Sequence, residues 1–386
     1  MSKRYTTHGR QASAAIGCVC RNIGGVMDNT RYYLGFNYVN GIGPVRLDRL
    51  IEQCGSIEAA WHASATELMA IGLESKLIEA LIETRRTLDL DREMERLQRA
   101  GVALIDRESP AYPAALRHVP SPPPLLYVRG ALSDVDSWSV AVVGTRQPTA
   151  YGREATRRLT TGLVEAGVTI ISGLALGIDS IAHTTALDAG GRTLAVLPCG
   201  IDLVYPERHD TLARRITDHG ALISEFPPGT RPTPQLFPVR NRLISGLARG
   251  VLVVEAGVKS GALITVDYAL EQGRDVFAVP GPIFSPRSEG TNRLIRNGAG
   301  LVTCAEDILE ALDMSTAASQ QEMRAALPDD PVEAAVLALV GYEPLHIDDL
   351  QRRTSMPVHE VSATLTVLEL KGFVRQCAPM CYVLAH

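Results

Sequence analysis

Four short stretches combine glycine, hydroxyl and cationic side chains at spacings suited to holding an anion. In Gly144-Thr145-Arg146, followed by Tyr151-Gly152, the glycine lets backbone approach a phosphate. Thr145 offers an N–H and a hydroxyl, and Arg146 a fork of donors. Thr and Arg after the first glycine depart from Gly-x-Gly-x-x-Gly, which disfavours dinucleotide binding; a plain tight turn is the competing reading. In Ser172-Gly173-Leu174-Ala175-Leu176-Gly177-Ile178-Asp179 the glycines permit a close turn, and Asp179 sits where a helix start favours a carboxylate. His183, one turn later, is either catalytic or, more commonly, a capping or packing residue. Glu255-Ala256-Gly257-Val258-Lys259-Ser260-Gly261-Ala262 carries half of a phosphate-loop pattern but not Gly-x4-Gly-Lys-Ser/Thr, so ATP hydrolysis is not indicated. Arginine outnumbers lysine 34 to 4, and Lys259 is the only lysine between 138 and 312, which suggests a need for a compact point charge. Finally, Phe237-Pro238-Val239-Arg240-Asn241-Arg242 sets an aromatic face beside two guanidiniums. Stacking plus cationic phosphate contacts is how a site holds single-stranded nucleic acid; a core aromatic is the alternative for Phe237 alone.

The elements that must position these residues follow from periodicity. From Trp138 onward, short β-branched runs alternate with helical segments: 140–143, 168–171, 194–197, 221–223, 251–254, 276–279 and 300–303. Apolar strands each followed by Gly or Pro and then a helix predict a doubly wound parallel α/β sheet, an extended Rossmann-like fold. Such sheets bind ligands at the carboxyl ends of their strands, and the unusual residues lie in those turns. Before the sheet, residues 27–98 read as helices. Gly41-Ile42-Gly43 followed by Pro44 fits a helix-hairpin-helix turn, with a weaker second signal at Ile71-Gly72-Leu73. A small helical packing module is the alternative there, because the region is acidic. Residues 313–328 read as a linker, and 329–386 as three helices and a hairpin, the order of a winged helix. Its third helix offers Glu360 and Glu369 against Lys371 and His359, which favours contact with protein over DNA. The expected modules are therefore 1–26, 27–98, 99–312, 313–328 and 329–386.

The 386 residues suggest two or three domains. With 46% hydrophobic and 21% charged residues the composition is that of a soluble globular protein, and no apolar run reaches the ~20 residues of a membrane span. Seven scattered cysteines lack zinc-like spacing and read as reduced thiols of a cytoplasmic protein; no metal or cofactor is expected. The net charge of −5 speaks against nucleic acid until it is resolved along the chain. It is +4 over 1–26, −4 over 27–137, zero over 138–312 and −5 over 313–386. From Phe226 to Val254 there is no acid, while Arg231, Arg240, Arg242 and Arg249 fall there. A local basic surface can bind anions whatever the sum. The basic start reads as an over-extended gene start or a disordered tail rather than a targeting peptide.

Taken together, Gly144-Thr145-Arg146, Ser172-Gly173 to Asp179 with His183, Gly200-Ile201-Asp202 with Tyr205-Pro206, Ser224-Glu225, Phe237 to Arg242, Lys259-Ser260-Gly261, Val279-Pro280-Gly281 and Gly290-Thr291-Asn292 resemble the DNA-processing protein A (DprA/Smf) family. The resemblance covers about residues 99–312 in consistent order, and the flanking helical and winged-helix modules fit it. It implies an extended Rossmann domain that binds single-stranded DNA, dimerises, and helps load the RecA recombinase in natural transformation. It would place Gly144, Thr145, Arg146, Phe237, Arg240, Asn241, Arg242, Lys259, Ser260 and Gly261 around the DNA. One departure is Pro234, where some relatives carry a basic residue; the nearest upstream cation is Arg231.

Two other readings compete. A nucleotide-cleaving enzyme of the LOG (lysine-decarboxylase-like) type needs carboxylates after its phosphate-binding turn. Here Ala262-Leu263-Ile264 follows Ser260-Gly261, leaving only Glu225 or Glu255 to substitute. A transcription regulator acting through the winged helix is weakened by that module's acidity.

Overall fold

The computed structural model describes residues 27–314, 331–341, 345–354, 356–370, 373–378 and 380–384. The basic start and nearly all of the expected linker lie outside the described residues. The chain divides after Leu312 into two compact units.

The first unit opens with helices at Met27–Asn37, Pro44–Cys54, Ile57–His62, Ala65–Ala70, Ser75–Thr87 and Leu90–Arg99. Their starts are chemically marked. Pro44 occupies the first turn behind an extended Gly43, where its missing N–H costs nothing. Ser56 and Asp89 accept from Ala59 N–H and Arg92 N–H, and Ser64 with Glu67 forms a reciprocal capping box. The apolar faces bury Tyr33, Leu34, Phe36, Leu50 and Leu81 in a core that continues into Leu125 and Tyr127 of the sheet. Tyr127 Oη donates to Asn37 Oδ1 at 2.8 Å across that junction.

The sheet comprises β1 (Val102–Asp106), β2 (Leu125–Gly130), β3 (Ser139–Val143), β4 (Thr169–Ser172), β5 (Thr193–Val196), β6 (Gly220–Ser224), β7 (Gly250–Val253), β8 (Asp275–Ala278) and β9 (Gly300–Leu301). Their spatial order is β1-β2-β6-β5-β4-β3-β7-β8-β9. All pairs from β6 to β9 are parallel, while β1–β2 and β2–β6 are antiparallel. The seven expected strands are thus the parallel part, the last trimmed to two residues, and an antiparallel pair extends one edge. β3 to β7 are buried along their full length, as helices on both faces require. The chain winds outward from β3 through β4, β5 and β6, then returns to lay β7 beside β3. The carboxyl ends of β3 and β7 therefore flank the topological switch point, where a crevice opens in such sheets.

The second unit has helices at Pro331–Leu337, Ile347–Thr354 and Val358–Leu370 and strands β10 (Leu345–His346), β11 (Val374–Ala378) and β12 (Cys381–Leu384), ordered β10-β12-β11. Val336, Leu350, Val361, Leu365, Leu368 and Val374 fill its core. This is the winged-helix order, with the short β10 between the first two helices pairing with β12 of the hairpin. No helix among the described residues is long and apolar enough to cross a membrane.

Candidate functional site

The turns after β3, β4 and β7 interlock at the switch point. Thr145 N–H donates to Glu255 O at 2.7 Å, and Ile178 N–H to Thr145 O at 3.2 Å. Gly177 closes this join in a left-handed conformation (φ +82°); a Cβ there would lie 2.3 Å from Thr145 O, so no larger residue fits. Glu255 is buried and accepts from Thr149 N–H at 2.8 Å at the start of helix Ala150–Glu165. A Cβ on Gly152 would sit 2.2 Å from the Glu255 carboxylate.

A cavity of about 550 Å³ opens above this join. Gly144, Thr145 and Arg146 form one wall, Phe237 and Asn241 a second, and Lys259, Ser260 and Gly261 a third. Phe237 lies in the first turn of the helix Leu236–Leu247, and Asn241, four residues on, shares its face. The Arg146 guanidinium lies over the Phe237 ring at 5.2 Å and that of Arg240 at 6.0 Å, while Tyr205 meets the ring edge-on at 5.7 Å. These distances fall within cation–π and aromatic contact range. The helix Ala262–Glu271 points its first turn at the same space, adding the positive end of its dipole. Arg287, from the turn after β8, also lines the cavity. Sequence reasoning missed it, although the glycine–proline frame of that turn was visible. Among the described residues no carboxylate pairs with Arg146, Lys259 or Arg287, so the rim carries unbalanced positive charge.

The other arginines of the motif are held by protein partners, although Arg240 also lines the cavity. Arg240 is buried and donates through Nη1 to Gly173 O at 2.6 Å and to Val196 O. Burial pulls its pKa down to about 10, opposed by the Asp179 carboxylate, so it stays charged at neutral pH. Asp179 accepts from Gly173 N–H at 3.1 Å and Ala175 N–H at 3.4 Å; burial raises its pKa, against the pull of Arg240. Arg242 stands outside the cavity lining. It pairs with Glu225 and donates to Ser121 O at 2.9 Å, and burial raises the Glu225 pKa while Arg242 lowers it. Two residues of helix turn the chain about 200°, so Arg240 and Arg242 cannot share a face. Arg231 is exposed and does not line the cavity.

His183 is a packing residue. Thr193 Oγ1 donates to Ile170 O at 2.8 Å and so accepts from His183 Nδ1 at 2.7 Å. Nε2 is buried without a partner, and burial drives the imidazole pKa down to about 3. Glu255 and Glu225, the acids an enzyme reading would need, are likewise engaged, the first by a helix start and the second by Arg242.

Fold and site together define an extended Rossmann-like domain with a cationic, aromatic-walled cleft at its switch point, accompanied by a winged helix. A family model described as DNA recombination-mediator protein A matches residues 103–313, and a DprA winged helix domain model matches 320–378. The chain belongs to the DNA recombination-mediator protein A family. It is 37% identical to Protein Smf of Synechocystis sp., covering 91% of this chain and 98% of that protein, and 40% identical to Protein Smf of Escherichia coli, covering 81% and 85%. The solved structure of DNA processing protein A from Streptococcus pneumoniae superposes with a TM-score of 0.62 at 34% identity, covering 72% of this chain and 95% of that one. A Helicobacter pylori DNA processing protein A structure, described for its single-stranded DNA binding mode, gives 0.50 at 30%, covering 55% and 95%.

Proposed function

We propose that the protein binds single-stranded DNA in the switch-point cleft, without catalysis, as the recombination mediator of its family. The observation that carries this reading is the Phe237 ring set beneath the Arg146 guanidinium, with Lys259 and a helix N-terminus across the cavity. An aromatic face with free cations around it takes a base and its phosphates together, a combination that unstacked single strands offer and duplexes hide. The family supplies the remainder of the proposal. The protein acts in the cytoplasm as a homodimer that protects incoming DNA and helps load RecA in transformation. Residues 27–98, 99–312 and 329–386 are its working modules, the central one gripping DNA and the acidic flanks contacting protein.

Fluorescence anisotropy with labelled oligonucleotides tests the binding step. Wild type is expected to bind single strands, and Lys259→Ala together with Arg146→Ala to abolish most of that binding. Full affinity in the double variant would reject the cleft. Incubation with nucleoside monophosphates tests the enzyme alternative: no free base is expected, and robust release would overturn the non-catalytic reading. RecA filament formation on single strands, with and without the protein, tests the loading step.

A further inference from the structure

After β8, Val279–Arg287 leads into helix Glu289–Arg296 and carries the most exposed large apolar side chains among the described residues. Ile283 is 82% exposed and Phe284 92%. Scattered apolar residues are ordinary on a surface, but this pair stands on a tightly held loop. The Asn292 carboxamide accepts from Gly281 N–H at 3.1 Å and donates to Gly281 O at 3.0 Å. Tyr151 Oη donates to Pro280 O at 2.7 Å. Ser285 N–H closes on Pro282 O and Ser288 N–H on Ser285 O, each at 3.0 Å. Three prolines (280, 282 and 286) fix φ along the same stretch. Gly290 N–H donates to Ala256 O at 2.9 Å, tying the loop to the turn that bears Lys259. Little conformational freedom is left for a partner to remove, which favours binding.

The loop is continuous with the cleft. Arg287, three residues beyond Phe284, lines the cavity, and three residues span at most about 11 Å. Phe284 therefore stands within reach of a strand leaving the cleft on its Arg287 side. Arg287 supplies the cation that a strand passing there needs. The exposed ring offers a face on which any base stacks. A second protein molecule is a poor match for this tip, since stable interfaces cover about 800 Å² per partner. The exposed apolar surface of the loop comes from four residues, Pro282, Ile283, Phe284 and Pro286, too few to cover that area.

We infer that Phe284, backed by Ile283, is a second base-stacking platform that takes a nucleobase of single-stranded DNA continuing past Arg287 out of the cleft. This rests on the cleft being a single-strand site. The test titrates oligothymidylates of increasing length into wild type, Phe284→Ala and Phe284→Trp. Oligonucleotides that only fill the cleft are expected to bind all three alike. Beyond a threshold length, wild type gains affinity, Phe284→Ala falls behind by about 5- to 140-fold, and Phe284→Trp keeps the gain with its indole fluorescence quenched. Equal affinity of wild type and Phe284→Ala at every length would overturn the platform while leaving the cleft reading intact. A changed sedimentation coefficient in Phe284→Ala with unaltered DNA binding would instead assign the tip to self-association. Failure of wild type to bind any single strand would remove the cleft reading, and the platform with it.

Discussion

The floor and the rim of the switch-point cleft are both rich in charge, and they use it oppositely. The floor, taken with the buried layer behind it, holds Arg240 facing Asp179, Arg242 paired with Glu225 outside the cavity lining, and Glu255 capping a helix start; all are buried or nearly so and hydrogen-bonded. On the rim, Arg146, Lys259 and Arg287 line the cavity with no carboxylate partner among the described residues. Buried charge survives only when paired, so these residues hold the surrounding turns and the helix Leu236–Leu247 in register. Unpaired cations cost little at a wet rim and remain available to a polyanion. A motif that reads as one cluster of cations is therefore two populations with different work.

The largest expected effect comes from breaking the floor. Arg242→Ala strands the Glu225 carboxylate in a buried site, and loss of one partner of such a pair costs about 3–5 kcal/mol. Denaturant unfolding should show that loss, whereas the molecules still folded should bind single strands with the wild-type salt dependence. A changed salt slope with unchanged stability would put Arg242 on the rim instead. Next in size, Phe237→Ala should weaken single-strand affinity by about 1–3 kcal/mol, measured by anisotropy, with little effect on unfolding because the ring is half-exposed.

A pH prediction separates floor from rim by another route. The His183 pKa is depressed to about 3 by burial, so the folded state binds its proton less readily than the unfolded chain does. Its contribution to stability is complete above the ordinary histidine value and is lost as pH falls from there toward 3, at about 1.4 kcal/mol per pH unit. Asp179 and Glu225, with raised values, act in the opposite sense, losing stability as pH rises out of the ordinary carboxylate range. Comparing unfolding of wild type and His183→Gln across that interval isolates the histidine; identical pH profiles would contradict its buried neutral state. The smallest effect belongs to a single rim cation. Lys259→Ala should reduce the slope of log affinity against log salt by about 0.7 for a single strand and leave unfolding unchanged.

Much of this arrangement is legible in the chain. β-branched runs separated by Gly and Pro located the parallel strands, and strand-end turns located the cleft. The antiparallel β1 escaped because its apolar run of four residues, directly after a charged helix, is ambiguous between helix and strand. The separation of Arg240 from Arg242 is a consequence of helical phase, invisible until the motif is known to be helical. Glu255 could not be recognised as a structural acid, because only the parallel pairing of β3 with β7 brings it to Thr149. Arg287 was hidden by distance along the chain, since nothing local links the turn after β8 to the one after β3. The net charge of −5 carried no information about the site, whose cations are offset by acids far along the chain.

The most direct test is a paired titration of wild type with a single-stranded oligonucleotide and its duplex across a range of salt. Three free rim cations predict a log–log salt slope of about −2 for the single strand, and clearly weaker binding of the duplex, whose stacked bases cannot reach Phe237. Equal affinity for the two forms at every salt concentration would contradict the account.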